Sequence, residues 1–407
     1  MAPKQIFFRK LDATENGSSS FLSALQLIAH IVTPIRKGMI HFFLQNRNTS
    51  MDQIEWIFLR ELGWLFQAMI AAPPDSGKKE ANDDEDEEDN SPPVDPTAFF
   101  DALKPCLTKY KKKTTPKDAS QAVQILLETI QACTSTLPVT GELWNSMLDE
   151  ASLRFVARQT IVGKTELEDG EVLQRTKKES LILACPYVIP KSAGAKVEES
   201  TSVDKLLKEW CAKQPHEYDF DDKSFDFEVT IPVFSKGDAS SDGWSVNRTL
   251  HFDALNGFLF VGLSRLNDQG EPSETEIEFP KKLDLSKLCT SDVTGSKEFE
   301  LYGGVLYDDG DYVAALKNSA IKDPEEEGAW QLMESDEIIP MEEGDILEFL
   351  KGEGGEGPCG TLAVYRSCNK SIHKQMDNIL SDIIISHVSG VLNTKSEQYY
   401  YEEVVED

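Results

Sequence analysis

The stretch FELYGGVLYDDGDYVAALK, Phe299 to Lys317, decides the reading of the fold. Its apolar and aromatic residues form two runs, Glu298–Tyr307 and Tyr312–Lys317, each with the composition of a strand. Between them stands Asp308-Asp309-Gly310, and Asp-Gly is a strong signal for a tight hairpin turn. The pattern predicts a β-hairpin with an acidic tip.

Working outward, Ser180–Ile189, Phe225–Phe234, Phe258–Leu263 and Thr361–Arg366 read as further strands, separated by polar or glycine-bearing loops. Ser202–Trp210 reads as a short helix among them. Before residue 150 the period is helical. Ser19–Ile31 carries apolar residues at 21, 22, 25, 28 and 31 behind serines able to cap, and Met51–Ile70 is apolar with no internal breaker. Asp118–Cys133 repeats the pattern behind Asp118 as a cap. A helical part over 10–150 followed by a strand-rich part over 151–368 is an α+β plan, with a binding cleft expected between the two lobes. Residues 369–407 add an amphipathic helix, Ile372–Val391, and an aromatic, acidic tail.

The chain has 407 residues, with 41 Lys plus Arg against 71 Asp plus Glu, a formal charge of −30. A field of that sign repels phosphate backbones and anionic lipid heads, so neither nucleic acid nor a membrane is expected as a partner. No apolar run is long enough for a transmembrane helix, and the N-terminus lacks the apolar core of a secretory signal. Seven cysteines at irregular spacings, with no CxxC, read as reduced, mostly buried thiols of a cytoplasmic or nuclear protein. Residues 73–96 are low-complexity, with seven consecutive acids at 83–89, and read as a disordered, solvated insertion or an acidic docking segment. The KYKKK cluster at 109–113 reads as a solvated lysine face, with nuclear targeting as the other reading.

Several short strings, in order, resemble the catalytic domain of the ubiquitin-specific proteases, papain-like enzymes with a helical thumb and β-rich palm and fingers. Asn16–Gln26, NGSSSFLSALQ, is similar to the family's GNTCYxNSxLQ box, keeping Ser23, Leu25 and Gln26. Lys117–Val123, KDASQAV, resembles its QDAxEFL helix; Leu259–Leu266, LFVGLSRL, resembles its LxRF strand; and Phe279–Leu285, FPKKLDL, resembles FPxxLDL. Phe299–Lys317 resembles the histidine box, followed by WQLMESDEIIPM at 330–341 and GTLAVYR at 360–366.

The resemblance implies a Cys–His–Asp/Asn triad, and all three positions are changed. Ser19, or Ser20 in a shifted register, stands for the cysteine, Asp311 for the histidine and Glu334 for the third residue. The oxyanion position falls on Gly17 or Ser18. A serine without a base of near-neutral pKa is a poor nucleophile, and a carboxylate is a far weaker base than imidazole. The fingers lack the family's paired CxxC motifs, so neither metal nor cofactor is expected. The expectation is a pseudoenzyme that binds ubiquitin or a ubiquitin-like protein. The alternatives are a scaffold without ubiquitin affinity and an active deubiquitinase with a relocated nucleophile. Gly303, Gly304, Asp308, Asp309, Gly310 and Tyr312 are the candidates for a channel holding ubiquitin's C-terminal tail, although the DDG string equally reads as a plain turn. The acidic stretch 73–96 and helix 372–391 are candidate surfaces for other proteins.

Overall fold

The computed structural model describes residues 11, 19–46, 52–70, 94–116, 118–137, 155–165, 177–181, 200–212, 214–215, 244–255, 257–263, 265, 275–318, 321–334, 338–352 and 357–369. The fold is α+β, with a helical N-terminal part and an antiparallel main sheet, as expected.

Among the described residues five helices come first: α1 (Ser19–Ile31), α2 (Thr33–Asn46), α3 (Ile54–Ile70), α4 (Thr97–Lys109) and α5 (Ala119–Thr136). Helices α1, α3 and α5 match their predicted spans closely. At the start of α5 the Asp118 carboxylate accepts from the Gln121 backbone N–H at 2.8 Å and from the Ser120 hydroxyl at 2.7 Å, the cap its sequence promises. Helices α2 and α4 carry residues that sequence reasoning treats as breakers, Gly38 in α2 and Pro105 inside α4. Burial overrides propensity in α4, where Phe99, Phe100, Leu103, Cys106 and Leu107 are all inside.

The strands are β1 (Phe155–Thr165), β2 (Lys177–Leu181), β3 (Ser200–Ser202), β4 (Gln214–Pro215), β5 (Trp244–Leu255), β6 (Phe258–Gly262), β7 (Glu276–Glu278), β8 (Lys282–Asp284), β9 (Cys289–Gly295), β10 (Glu298–Asp308), β11 (Asp311–Lys317), β12 (Trp330–Met333), β13 (Ile338–Met341) and β14 (Cys359–Ser367). Two helices lie among them, α6 (Val203–Cys211) and α7 (Glu343–Lys351). A seven-stranded sheet runs β13-β12-β11-β10-β14-β6, with β8 also paired to β10. A second sheet runs β2-β1-β5-β4, with β9 added alongside β5. Of the expected strands, Ser180–Ile189 is described only to Leu181, and Phe225–Phe234, Cys185 and the helix Ile372–Val391 lie outside the described residues.

The main sheet is a layer between two cores, and its period of two shows which residue faces which. Phe258, Phe260, Ala314, Leu316, Leu362 and Val364 point to the core shared with the N-terminal helices. Their neighbours Leu259, Val261, Ala315, Ala363 and Tyr365 point to the opposite core, closed by α6 and α7. Strands buried on both faces read as near-continuous apolar runs, which is why β6 and β14 are legible in the sequence.

Two sequence expectations need correction here. Stretch 73–96 is not solvated throughout: Val94 is 4% exposed and forms a parallel bridge with Leu11, so the chain re-enters the core before Thr97. The lysine cluster is not simply a solvated face either, since Lys109 pairs with the buried Glu55 and Lys112 with Glu128.

Candidate functional site

Three elements meet around the β10–β11 hairpin. Helix α1 packs on both strands and on α5. Its C-terminal end is fixed to β11, where His30 Nε2 lies 3.3 Å from the Lys317 carbonyl oxygen. From α2, Arg36 reaches back and donates to the carbonyls of Ala29 at 2.8 Å and His30 at 3.3 Å, closing the helix end.

The turn is the tight one predicted. Asp308 pairs with Asp311, and the two residues between, Asp309 (φ 42°) and Gly310 (φ 98°), are both left-handed, the signature of a type I′ hairpin. Asp308, Asp309, Gly310 and Asp311 are exposed. Tyr307 and Tyr312 face each other across the hairpin, ring centroids 5.2 Å apart, edge to face. Tyr312 is half-buried against the helical core; by alternation along β11 it shares a face with Ala314 and Leu316, whereas Asp311 is in step with Val313 and Ala315. Burial, then the nearby Asp118 carboxylate, push the Tyr312 phenol well above its ordinary pKa, so it stays a neutral hydroxyl.

The expected triad positions are distributed as follows. Ser19 is half-buried and Ser20 is 3% exposed, in the first turn of α1, where the Ser20 carbonyl accepts from the Ser23 hydroxyl at 3.2 Å. Asp311 opens β11 at the exposed hairpin, and Glu334 follows β12 one residue beyond the pair Ala314↔Met333. Asp311 and Glu334 thus lie near one another along the paired strands β11 and β12. Gly17 and Ser18 lie outside the described residues.

No described histidine lies in the β10–β11 hairpin. His30 sits at the far end of α1 from Ser20, ten residues or about 15 Å of helix away. Burial of the ring and the Arg36 guanidinium lower its pKa to about 4, and it is neutral at pH 7. His41 is buried within α2, and His251 lies on β5 of the other sheet. Among the described residues no group of His, Cys, Asp or Glu is arranged to hold a metal ion.

Two channel candidates are corrected. Gly303 and Gly304 are buried packing positions, not the floor of an open groove. A Cβ on Gly303 would come within 2.3 Å of Ile31 Cδ1, and one on Gly304 within 2.9 Å of the Leu362 carbonyl oxygen and 3.0 Å of Leu350. Both are glycine because α1 and α7 approach the sheet closely there.

The low His30 pKa has a consequence for stability. The folded state refuses a proton that the unfolded chain takes near pH 6.5, so stability falls as pH drops from about 6.5 and the loss is complete near pH 4. With allowance for the ring's remaining solvent contact, the loss is roughly 2 kcal/mol. Thermal melts of the protein and of His30→Gln at pH 7.5 and 4.5 check it: the variant should lose less stability over that interval, and equal losses would refute the assignment.

A family model described as ubiquitin carboxyl-terminal hydrolase matches residues 14–365. A search of curated proteins returned no match. Among solved structures, one titled as a yeast SAGA DUBm with an Sgf73 mutant aligns over 91% of this chain and 70% of its own, at 15% identity and a TM-score of 0.53. Identity that low supports the shared fold alone. With helical part, sheet and hairpin in the order found here, and most of its length matched by the family model, the chain belongs to the ubiquitin carboxyl-terminal hydrolase family.

Proposed function

We propose that this protein is a non-catalytic member of the family that binds ubiquitin or a ubiquitin-like protein without hydrolysing it. The observation that carries this reading is the exposed hairpin: Asp311 stands at the position that resembles the family's histidine, and Ser19 or Ser20, in the first turn of α1, at the position that resembles its cysteine. A hydroxyl served by a carboxylate has no base of suitable pKa, and proton transfer from it would not compete at neutral pH. What the site retains is recognition chemistry. Asp308, Asp309 and Asp311 are exposed beside Tyr307 and Tyr312, with Asp118 close by. Carboxylates of this kind pair with arginine, and ubiquitin offers both a basic face and an arginine in its tail.

Two measurements test the reading. Purified protein should release no fluorophore from a ubiquitin C-terminal amide above the buffer rate; turnover that disappears in the Ser19→Ala, Ser20→Ala double variant would make it an enzyme. Isotope-labelled ubiquitin titrated with the protein should show saturable shifts on its basic face and tail. Replacing Asp308, Asp309 and Asp311 together by Asn should weaken that binding about tenfold or more. The burial of Gly303 and Gly304 favours a second reading, a scaffold without ubiquitin affinity, because two expected channel positions are filled by packing. No shifts at roughly 300 μM, a concentration that still detects weak binding, would select it.

A further inference from the structure

Cys106 on α4 and Cys133 on α5 are 27 residues apart in the chain, yet their sulfurs lie 3.8 Å apart. Both are 0% exposed. The Cys133 thiol donates to Cys106 Sγ, and the Cys106 thiol is 3.6 Å from the Ile54 carbonyl oxygen on α3. Beside them the buried Glu55 carboxylate is held by Lys109 and by the Tyr110 hydroxyl at 2.8 Å. The same hydroxyl lies 3.1 Å from Thr136 Oγ1 and 3.5 Å from the Ala132 carbonyl oxygen. These contacts fix α3, α4 and α5 relative to one another and hold the two sulfurs facing. The sulfurs need to approach by less than about 2 Å to reach bonding distance.

We propose that Cys106 and Cys133 are a redox pair, forming a reversible disulfide that staples α4 to α5 when the protein meets hydrogen peroxide. The Cys106 thiolate is the first nucleophile, because the hydrogen bond from Cys133 lowers its pKa and raises that of its partner. Its sulfur attacks a peroxide oxygen, the O–O bond breaks, and hydroxide leaves to take up the released proton as water. Cys106 is then a sulfenic acid. The Cys133 sulfur attacks it, the S–O bond breaks, and the departing hydroxide carries off the Cys133 proton as a second water. Two thiols have lost two hydrogens and one peroxide has become two waters; an added dithiol reverses the change by exchange. The bond would close the segment that connects α4 to Asp118, and so stiffen the support of the hairpin site. The inference is independent of whether ubiquitin binds there.

The test is peptide mapping of the full chain after hydrogen peroxide, with alkylation under denaturing conditions. The expected product joins Cys106 to Cys133, is lighter than the two reduced peptides by two hydrogens, and disappears with dithiothreitol. The melting temperature of the oxidised protein should rise by roughly 5 °C, a gain that Cys133→Ala does not show. If both cysteines are still fully alkylated at a dose that oxidises the exposed Cys368, the proposal fails. It fails equally if Cys106 cross-links elsewhere. The mapping uses the unmodified protein, so its outcome does not depend on the variant folding.

Discussion

Replacing Arg265 with methionine is expected to destabilise the protein by about 3–5 kcal/mol, the largest loss for any single side chain considered. Arg265 is 2% exposed. Its guanidinium donates from Nη1 to the carbonyls of Leu350 at 3.2 Å and Lys351 at 2.9 Å, and from Nη2 to that of Thr275 at 2.6 Å. Leu350 and Lys351 are the last residues of α7, whose final carbonyls have no partner within the helix. The arginine therefore satisfies a buried helix end and places a positive charge where the helix dipole is negative. Gly352 follows at φ +75°, and a Cβ there would come within 3.0 Å of the Arg265 Nη2, so chain and guanidinium fit closely. Methionine keeps the packing volume but leaves three carbonyls unsatisfied. Lysine keeps the charge but cannot reproduce the planar fork, and should recover only part of the loss. Urea unfolding at constant m-value checks the order; a methionine variant within about 1 kcal/mol of the parent would show that water serves these carbonyls instead.

The second large effect is expected at Gly63, where alanine should cost about 3 kcal/mol or more despite alanine's higher helix propensity. On propensity alone the change would stabilise a helix interior by up to about 1 kcal/mol. The tertiary contact reverses the sign. An added Cβ would sit 2.1 Å from the Met39 carbonyl oxygen and 2.7 Å from Phe43 Cβ, where α2 crosses α3. A backbone oxygen cannot rotate aside, so α2 must move away from a face that buries Met39, Ile40 and Phe42. Denaturant unfolding should show the loss, and a neutral or stabilised variant would refute this close crossing.

These two residues also show where legibility in the sequence stops. Arg265 is visible as the arginine of a familiar string, LFVGLSRL, yet nothing in that string reveals that two of its partners lie some 85 residues later at a helix end. Gly63 looks like a weak spot in an otherwise apolar helix, and its partner lies in α2, a helix the sequence does not advertise. Gly303 and Gly304 mislead for a related reason. A paired glycine signals close approach, but the sequence does not say whether a ligand or the protein's own helix makes that approach. Asp118 reads correctly as a cap, because a cap is a local contact with the turn that follows it.

What the sequence determined by itself was local and periodic: the helices α1, α3 and α5, the strands buried on both faces, and a tight turn at Asp308-Asp309-Gly310. Only the tertiary structure decided which glycines are filled by neighbouring helices, which buried charge caps which helix, and which two of seven cysteines face each other. Those facts join residues far apart in the chain, and contact across that separation is set by how layers pack, to which no short-range pattern of residues is sensitive.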